Sequence, residues 1–168
     1  MPVESDSEWF SVVEGRFRDA MGNVAAPVAV MTTIQEGEPH GTTVSAFASL
    51  SMSPPMLMFA LDRGSRLLAR LGVRSRVGVN ILANGQHALA LTFAGKSENK
   101  FEHVDWVLDS RAPRVSGTHA WVALDIRQLV PAGDHLILVG DVVNAQATEG
   151  LAPLTYHNRT FGSHATLL

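Results

Sequence analysis

The run from Thr42 to Ser53 constrains this chain more than any other stretch. It reads Thr42-Thr43-Val44-Ser45-Ala46-Phe47-Ala48-Ser49-Leu50-Ser51-Met52-Ser53. With period two, Thr43, Ser45, Phe47, Ser49, Ser51 and Ser53 fall on one face, and Val44, Ala46, Ala48, Leu50 and Met52 on the other. That alternation specifies an extended chain with one apolar side against a core. The run exceeds the ~5–6 residues usual for a strand, so a bend or bulge is expected within it. Its hydroxyl face lacks the Lys and Glu that solvated strands commonly carry. Hydroxyls and backbone N–H groups bind phosphate without a strong local positive charge. An ordinary solvent-facing strand is the competing reading.

The rest of the chain punctuates further strands with short helices. Trp9, Val13, Phe17 and Met21 recur every four residues behind the candidate N-caps Ser5, Asp6 and Ser7. This predicts an amphipathic helix ended by Gly22, with residues 1–24 packed on the rest of the molecule. Val28 to Ile34, Met56 to Leu61 and Val77 to Leu82 are apolar and strand-like. Ser65 is positioned to cap a short helix carrying Leu67, Leu68 and Leu71. Asn84 is positioned to cap another through Phe93. Lys96 to Arg114 is polar with isolated aromatics and reads as a long loop. Strands over Ala120 to Val130 and His135 to Ala145 flank a turn at Pro131-Ala132-Gly133-Asp134. A short strand follows near Leu154 to His157. Parallel βαβ order is not sustained. The pattern predicts one mainly β domain over 1–168, an antiparallel barrel with flanking helices.

Composition narrows the function. The chain has 168 residues, no Cys, 13 basic against 16 acidic residues and a formal charge of −3. A disulfide framework, a thiolate nucleophile and a Cys-ligated metal are excluded. The charge balance gives no field for duplex DNA, so no nucleic-acid partner is expected. No apolar run approaches a membrane span, and the start lacks the pattern of a signal peptide; a cytoplasmic protein is expected. Neither a dinucleotide Gly-x-Gly-x-x-Gly, a P-loop nor a Gly-x-Ser-x-Gly elbow is present. The His spacings match no metal site, so none is expected.

Arg63-Gly64-Ser65-Arg66 follows the Met56–Leu61 strand at a candidate helix start. Two guanidinium groups beside an N-cap hydroxyl suit a phosphate, although surface charge alone also accounts for exposed Arg. Asn80 interrupts the Val77–Leu82 run and needs a partner, whether backbone or ligand.

Taken in order, several segments resemble the flavin reductase family with the FMN-binding split-barrel fold. They are Gly41 to Ser51 with Pro54-Pro55, Ser65-Arg66, Val79 to Leu82, Phe93-Ala94-Gly95, and Lys100-Phe101 with Trp106. Gly133-Asp134-His135, Val139 to Val142, Leu154 to His157 and Phe161-Gly162 complete the series. Asn158-Arg159-Thr160 and Phe161 depart from the family's usual tail. The resemblance implies an antiparallel split β-barrel and an NAD(P)H-dependent flavin reductase. Such an enzyme transfers hydride from NADH or NADPH to FMN or FAD and feeds reduced flavin to a flavin-dependent monooxygenase. It implies that Thr42, Thr43, Val44, Ser45 and Ala46 line the isoalloxazine and ribityl chain, largely through backbone groups. Ser51, Ser65 and Arg66, with Arg63 less firmly, hold the phosphate. Asn80, Ile81 and Leu82 contact the flavin, and His135 sits by the nicotinamide as the catalytic residue. Phe93 joins the cofactor set through the resemblance, although its own setting suggests a core anchor. A homodimer is implied on the same ground. A non-catalytic flavin-binding redox partner on the same barrel is the alternative. A barrel for another phosphate ligand, such as pyridoxal phosphate, stands behind it.

Overall fold

The computed structural model describes residues 6–166, with side chains described from residue 9. Helix α1 spans Asp6–Gly22. Five strands follow: β1 (Ala26–Pro27), β2 (Ala29–Gln35), β3 (Glu38–Val44), β4 (Phe47–Met52) and β5 (Pro55–Asp62). A 3-10 turn at Leu68–Arg70 leads to β6 (Arg76–Ile81) and helix α2 (His87–Ala94). Then come β7 (Trp106–Asp109), β8 (Ala112–Val115), β9 (Ala120–Ala132), β10 (His135–Ala147), β11 (Leu154–His157) and β12 (Thr160–Ser163).

Seven strands form one antiparallel sheet in the order β3-β2-β6-β9-β10-β5-β4. Strands β3 and β4, consecutive in sequence, therefore stand at opposite edges. The chain crosses between them at Ser45–Ala46, where the Ala60 N–H donates to the Ala46 carbonyl at 2.9 Å. The sheet is bent round without hydrogen bonds joining β3 to β4, as in a split barrel. The alternating strip is thus two strands and a corner. A further irregularity falls between Ser49 and Ser51, so the expected bend and bulge are both present.

Strand β2 is buried along most of its length because its two faces serve two cores. Ala29 and Met31 point inward with Val44, Leu57, Phe59, Leu61, Val77, Val79, Leu124 and Leu138. Val28, just before β2, and Val30 face outward against Leu82, Leu154, Ala90 and Phe93, the last two from α2. One helix therefore packs outside the barrel, as expected. The other does not: Phe17 is 66% exposed, and Trp9, Phe10 and Met21 are exposed with it. The apolar stripe of α1 is real but unburied in a single chain. The end of the helix is fixed by the tail, where the Asn158 N–H donates to the Gly22 carbonyl at 2.9 Å.

The polar segment read as a loop contains the β7–β8 hairpin. Its turn, Ser110-Arg111, has φ of 48° and 63°, the left-handed pair that two-residue hairpins favour. Sequence patterning looks for Asn-Gly there, and neither residue is present. Asn158-Arg159, between β11 and β12, repeats the device with φ of 46° and 61°. The second helix starts later than predicted, at His87; Gln86 rather than Asn84 works at its entrance, its Oε1 accepting the Ala83 N–H at 2.9 Å.

A buried polar knot fixes β8 over the barrel. Asn80 is 0% exposed. Its Nδ2 donates to the carbonyls of Val30 (3.1 Å) and Pro113 (3.3 Å) and to Thr32 Oγ1 (3.2 Å), and its Oδ1 accepts the Val115 N–H at 2.7 Å. Beside it Trp121, also fully buried, lies across Gly78. A Cβ on Gly78 would stand 2.2 Å and 2.4 Å from two carbons of the Trp121 ring. Gly78→Ala is therefore expected to destabilise the fold by about 3 kcal/mol through overpacking, read from the midpoint of urea unfolding. An unchanged midpoint would mean that Trp121 is not held against β6.

Candidate functional site

A groove of about 690 Å³ opens at the edge of the barrel. Three chain segments wall it. They are Pro39–Thr42 of β3, Gly64–Arg70 after β5, and Ala94–Phe101 from the last residue of α2 onward. Strand alternation explains the first wall. Gly41 and Thr43 face α2: a Cβ on Gly41 would meet Phe93 Cε1 at 2.8 Å, and Thr43 Oγ1 donates to the Ala90 carbonyl at 2.6 Å. His40, Thr42 and Val44 take the opposite, barrel side. Val44 joins the inner core, while His40 and Thr42 border the groove. The hydroxyl in the groove thus comes from the strip's other face, because the expected face is turned to a helix.

The second wall is anchored by Leu67, buried in the barrel core. Ser65 Oγ accepts the Leu68 N–H at 3.4 Å, and Arg70 Nη1 donates to the Arg66 carbonyl at 2.8 Å. The third wall is tied across. Lys100 Nζ donates to the carbonyls of Phe93 (2.7 Å) and Gly41 (3.3 Å). Arg66 donates to the carbonyls of Lys96 and Ser97 and lies 3.8 Å from a Glu98 oxygen. Arg66, Arg70, Lys96 and Lys100 therefore face the cavity with Glu98 the one carboxylate among its walls. A chain of net charge −3 concentrates positive charge here. Burial, then the nearby Arg66, lowers the Lys100 pKa; burial, then Arg70, lowers that of His40. Depression of both groups is what crowded cations in a half-dry site produce.

Three residues of the sequence-derived set, Thr42, Ser65 and Arg66, meet in this groove. Ser45 lines a second cavity of about 530 Å³ with the end of α1, Tyr156, Asn158 and Arg159. Ala46 is exposed at the corner. Ser51 stands on β4 opposite Met56, outside both cavities. Arg63 is committed to the β9–β10 turn: its N–H donates to the Asp134 carbonyl at 2.9 Å and its Nε to that of Gly133 at 3.0 Å. His135 follows that turn opposite Asp62 on β5. Its Nδ1 donates to Asp134 Oδ1 at 2.7 Å, and this bond, with the His135 charge, holds the Asp134 carboxyl below its usual range.

Other side chains of the set are enclosed by the protein itself. Asn80, Leu82 and Phe93 are fully buried, and Val44 nearly so, leaving their side chains no surface for a ligand. Asn80 satisfies its polar atoms within the protein, and Phe93 packs on Gly41 and edge-on to Phe101. Ile81 is half-buried at the end of β6. Conversely, His40, Arg70 and Lys96 were not singled out from the sequence, and Lys100 only as part of a motif. Period two extended back from Thr42 reaches His40. The cations come as two pairs spaced by four, Arg66 with Arg70 and Lys96 with Lys100, on segments distant in sequence.

The family model for the flavin reductase like domain matches residues 21–165. The chain is 36% identical over 152 residues to an actinorhodin polyketide dimerase of Streptomyces coelicolor, spanning 89% of this chain and 86% of that protein. It is 33% identical to the reductase component of a 4-nitrophenol 4-monooxygenase/4-nitrocatechol 2-monooxygenase of Rhodococcus opacus, over 89% of this chain and 80% of the other. Among solved structures, an NADH:FAD oxidoreductase of Streptomyces globisporus in complex with NAD and FAD fragments superposes with a TM-score of 0.85 at 30% identity. That match covers 90% of this chain and 93% of the other. With fold, family model and relatives in agreement, the chain belongs to the family of the flavin reductase like domain.

Proposed function

We propose that this chain is an NAD(P)H:flavin oxidoreductase, transferring hydride from NADH or NADPH to FMN or FAD and supplying the reduced flavin to a partner monooxygenase. The observation that carries the reading is the cation-walled groove along β3, with four basic side chains around one carboxylate on an acidic chain. Family membership supports it, as do the monooxygenase reductase components among the relatives. When bound, the flavin supplies the hydride acceptor, chemistry that belongs to the coenzyme.

The residues of the chain bind and orient. Arg66 and Ser65 offer charge-assisted and hydroxyl donors to a phosphate. Thr42, three residues before the Ser45–Ala46 corner, offers its hydroxyl beside them. Lys100 keeps two walls of the groove together through its carbonyl bonds, so its charge stays at the anion site. His135, held by Asp134 through Nδ1, leaves Nε2 free of that bond, and we place the nicotinamide beside it. No membrane-spanning helix is found among the described residues. We place the protein in the cytoplasm, where reduced nicotinamide is supplied.

We also propose a homodimer. Two apolar surfaces are unmatched in one chain: the stripe of α1, and the edge strand β4, where Met52 is 84% exposed and Leu50 is exposed beside it. Apolar side chains clustered to this extent mark an interface.

Four outcomes are expected. The purified chain should oxidise NADH or NADPH when FMN or FAD is added. His135→Ala should raise the nicotinamide KM or slow hydride transfer while flavin binding survives. Bound yellow coenzyme with no nicotinamide consumption would favour the non-catalytic redox partner instead. Arg66→Ala should weaken FMN about tenfold, and riboflavin much less, by titration of flavin fluorescence. Light scattering should give twice the 18.1 kDa chain mass, and Phe17→Asp with Met52→Asp should return it to one. A wild-type monomer would overturn the dimer.

A further inference from the structure

The groove does not end at the Ser65–Arg66 phosphate position. Measured along β3 away from the Ser45–Ala46 corner, it passes Thr42 and continues to His40 and Pro39. His40 and Thr42 share a face and lie about 6.6 Å apart at ordinary strand rise. The opposite wall extends in step, because Arg70 lies one helical turn beyond Arg66, its Nη1 on the Arg66 carbonyl at 2.8 Å. Two basic centres result. Arg66 is the cation felt by Lys100, and Arg70 the cation felt by His40. The far centre combines one fixed charge with an imidazole that burial and Arg70 push toward its neutral form against the opposing pull of Glu38 and Glu36, a donor and flat ring rather than a second charge.

A flavin mononucleotide whose ring and ribityl chain run along Thr42–Ala46 ends at its single phosphate, leaving the far centre without a ligand. A dinucleotide continues through a second phosphoryl group into an adenosine. We infer that His40 and Arg70 form a second phosphoryl subsite, and that this chain takes FAD in preference to FMN. The inference rests on the flavin reductase reading and deepens it. The pyrophosphate of the nicotinamide dinucleotide has the same chemistry, but we assign the subsite to the flavin because Arg70 stands in the same groove, one turn along the wall from the first phosphate position.

The test is a titration of FAD, FMN and riboflavin into the full-length chain by fluorescence, together with the KM for NADH and NADPH. FAD is expected to bind about tenfold more tightly than FMN. Arg70→Ala is expected to weaken FAD about tenfold while FMN changes less than about twofold. His40→Gln, milder for the fold, should shift the same ratio in the same direction. Equal losses for FAD and FMN in these variants, or equal wild-type affinities, would overturn the subsite. A rise confined to the nicotinamide KM would assign it to the hydride donor and overturn the FAD preference. If none of the three flavins binds the wild-type chain, the flavin reductase reading itself fails, a result distinct from the others.

Discussion

The close approach of α2 to β3 is the constraint on which the site depends. It needs a residue without a Cβ at position 41, because the Phe93 ring occupies that space. The Thr43 hydroxyl and the Lys100 ammonium then fasten the same two elements through carbonyls of Ala90, Phe93 and Gly41. With the helix seated, the segment after it is delivered to the mouth of the barrel, opposite the segment after β5. The basic groove is the space left between them. A bulkier residue at Gly41 would lift the helix and widen the groove before it touched any ligand.

Burial and charge divide the work between the two sides of β3. Toward α2 the strand is dry and its polar groups are consumed internally. Toward the barrel mouth it offers Thr42 and His40 to a half-open space. Burial, and then the repulsion between cations gathered in such a space, lowers the affinity of Lys100 and His40 for protons. An anion relieves that repulsion, so the cost borne by the empty fold returns as binding free energy.

Much of this was legible in the chain. Period-two alternation located the central strands, and the excessive length of the Thr42–Ser53 run announced the corner that places β3 and β4 at opposite edges. The chemistry of Asn80 was half legible: a carboxamide in an apolar strand must be paired, but only the fold says that its partners are β2 and β8. Hydroxyl spacing misjudged which face of the strip meets the groove, since Thr43 serves a helix that is distant in sequence. The Arg66–Arg70 pair and the Lys96–Lys100 pair converge by long-range packing, which no local period encodes. The stripe of α1 was plain, but a pattern gives the direction of an apolar face and not what covers it.

The two tight hairpin turns carry a separate consequence. Ser110-Arg111 and Asn158-Arg159 hold side-chain-bearing residues in backbone geometry that disfavours them, Arg more than Asn. Each such arginine stores roughly 1 kcal/mol that a different residue would release. The molecule therefore keeps an unspent margin of thermostability at its periphery, reachable without repacking the interior, and engineers seeking a hardier catalyst have a natural place to begin.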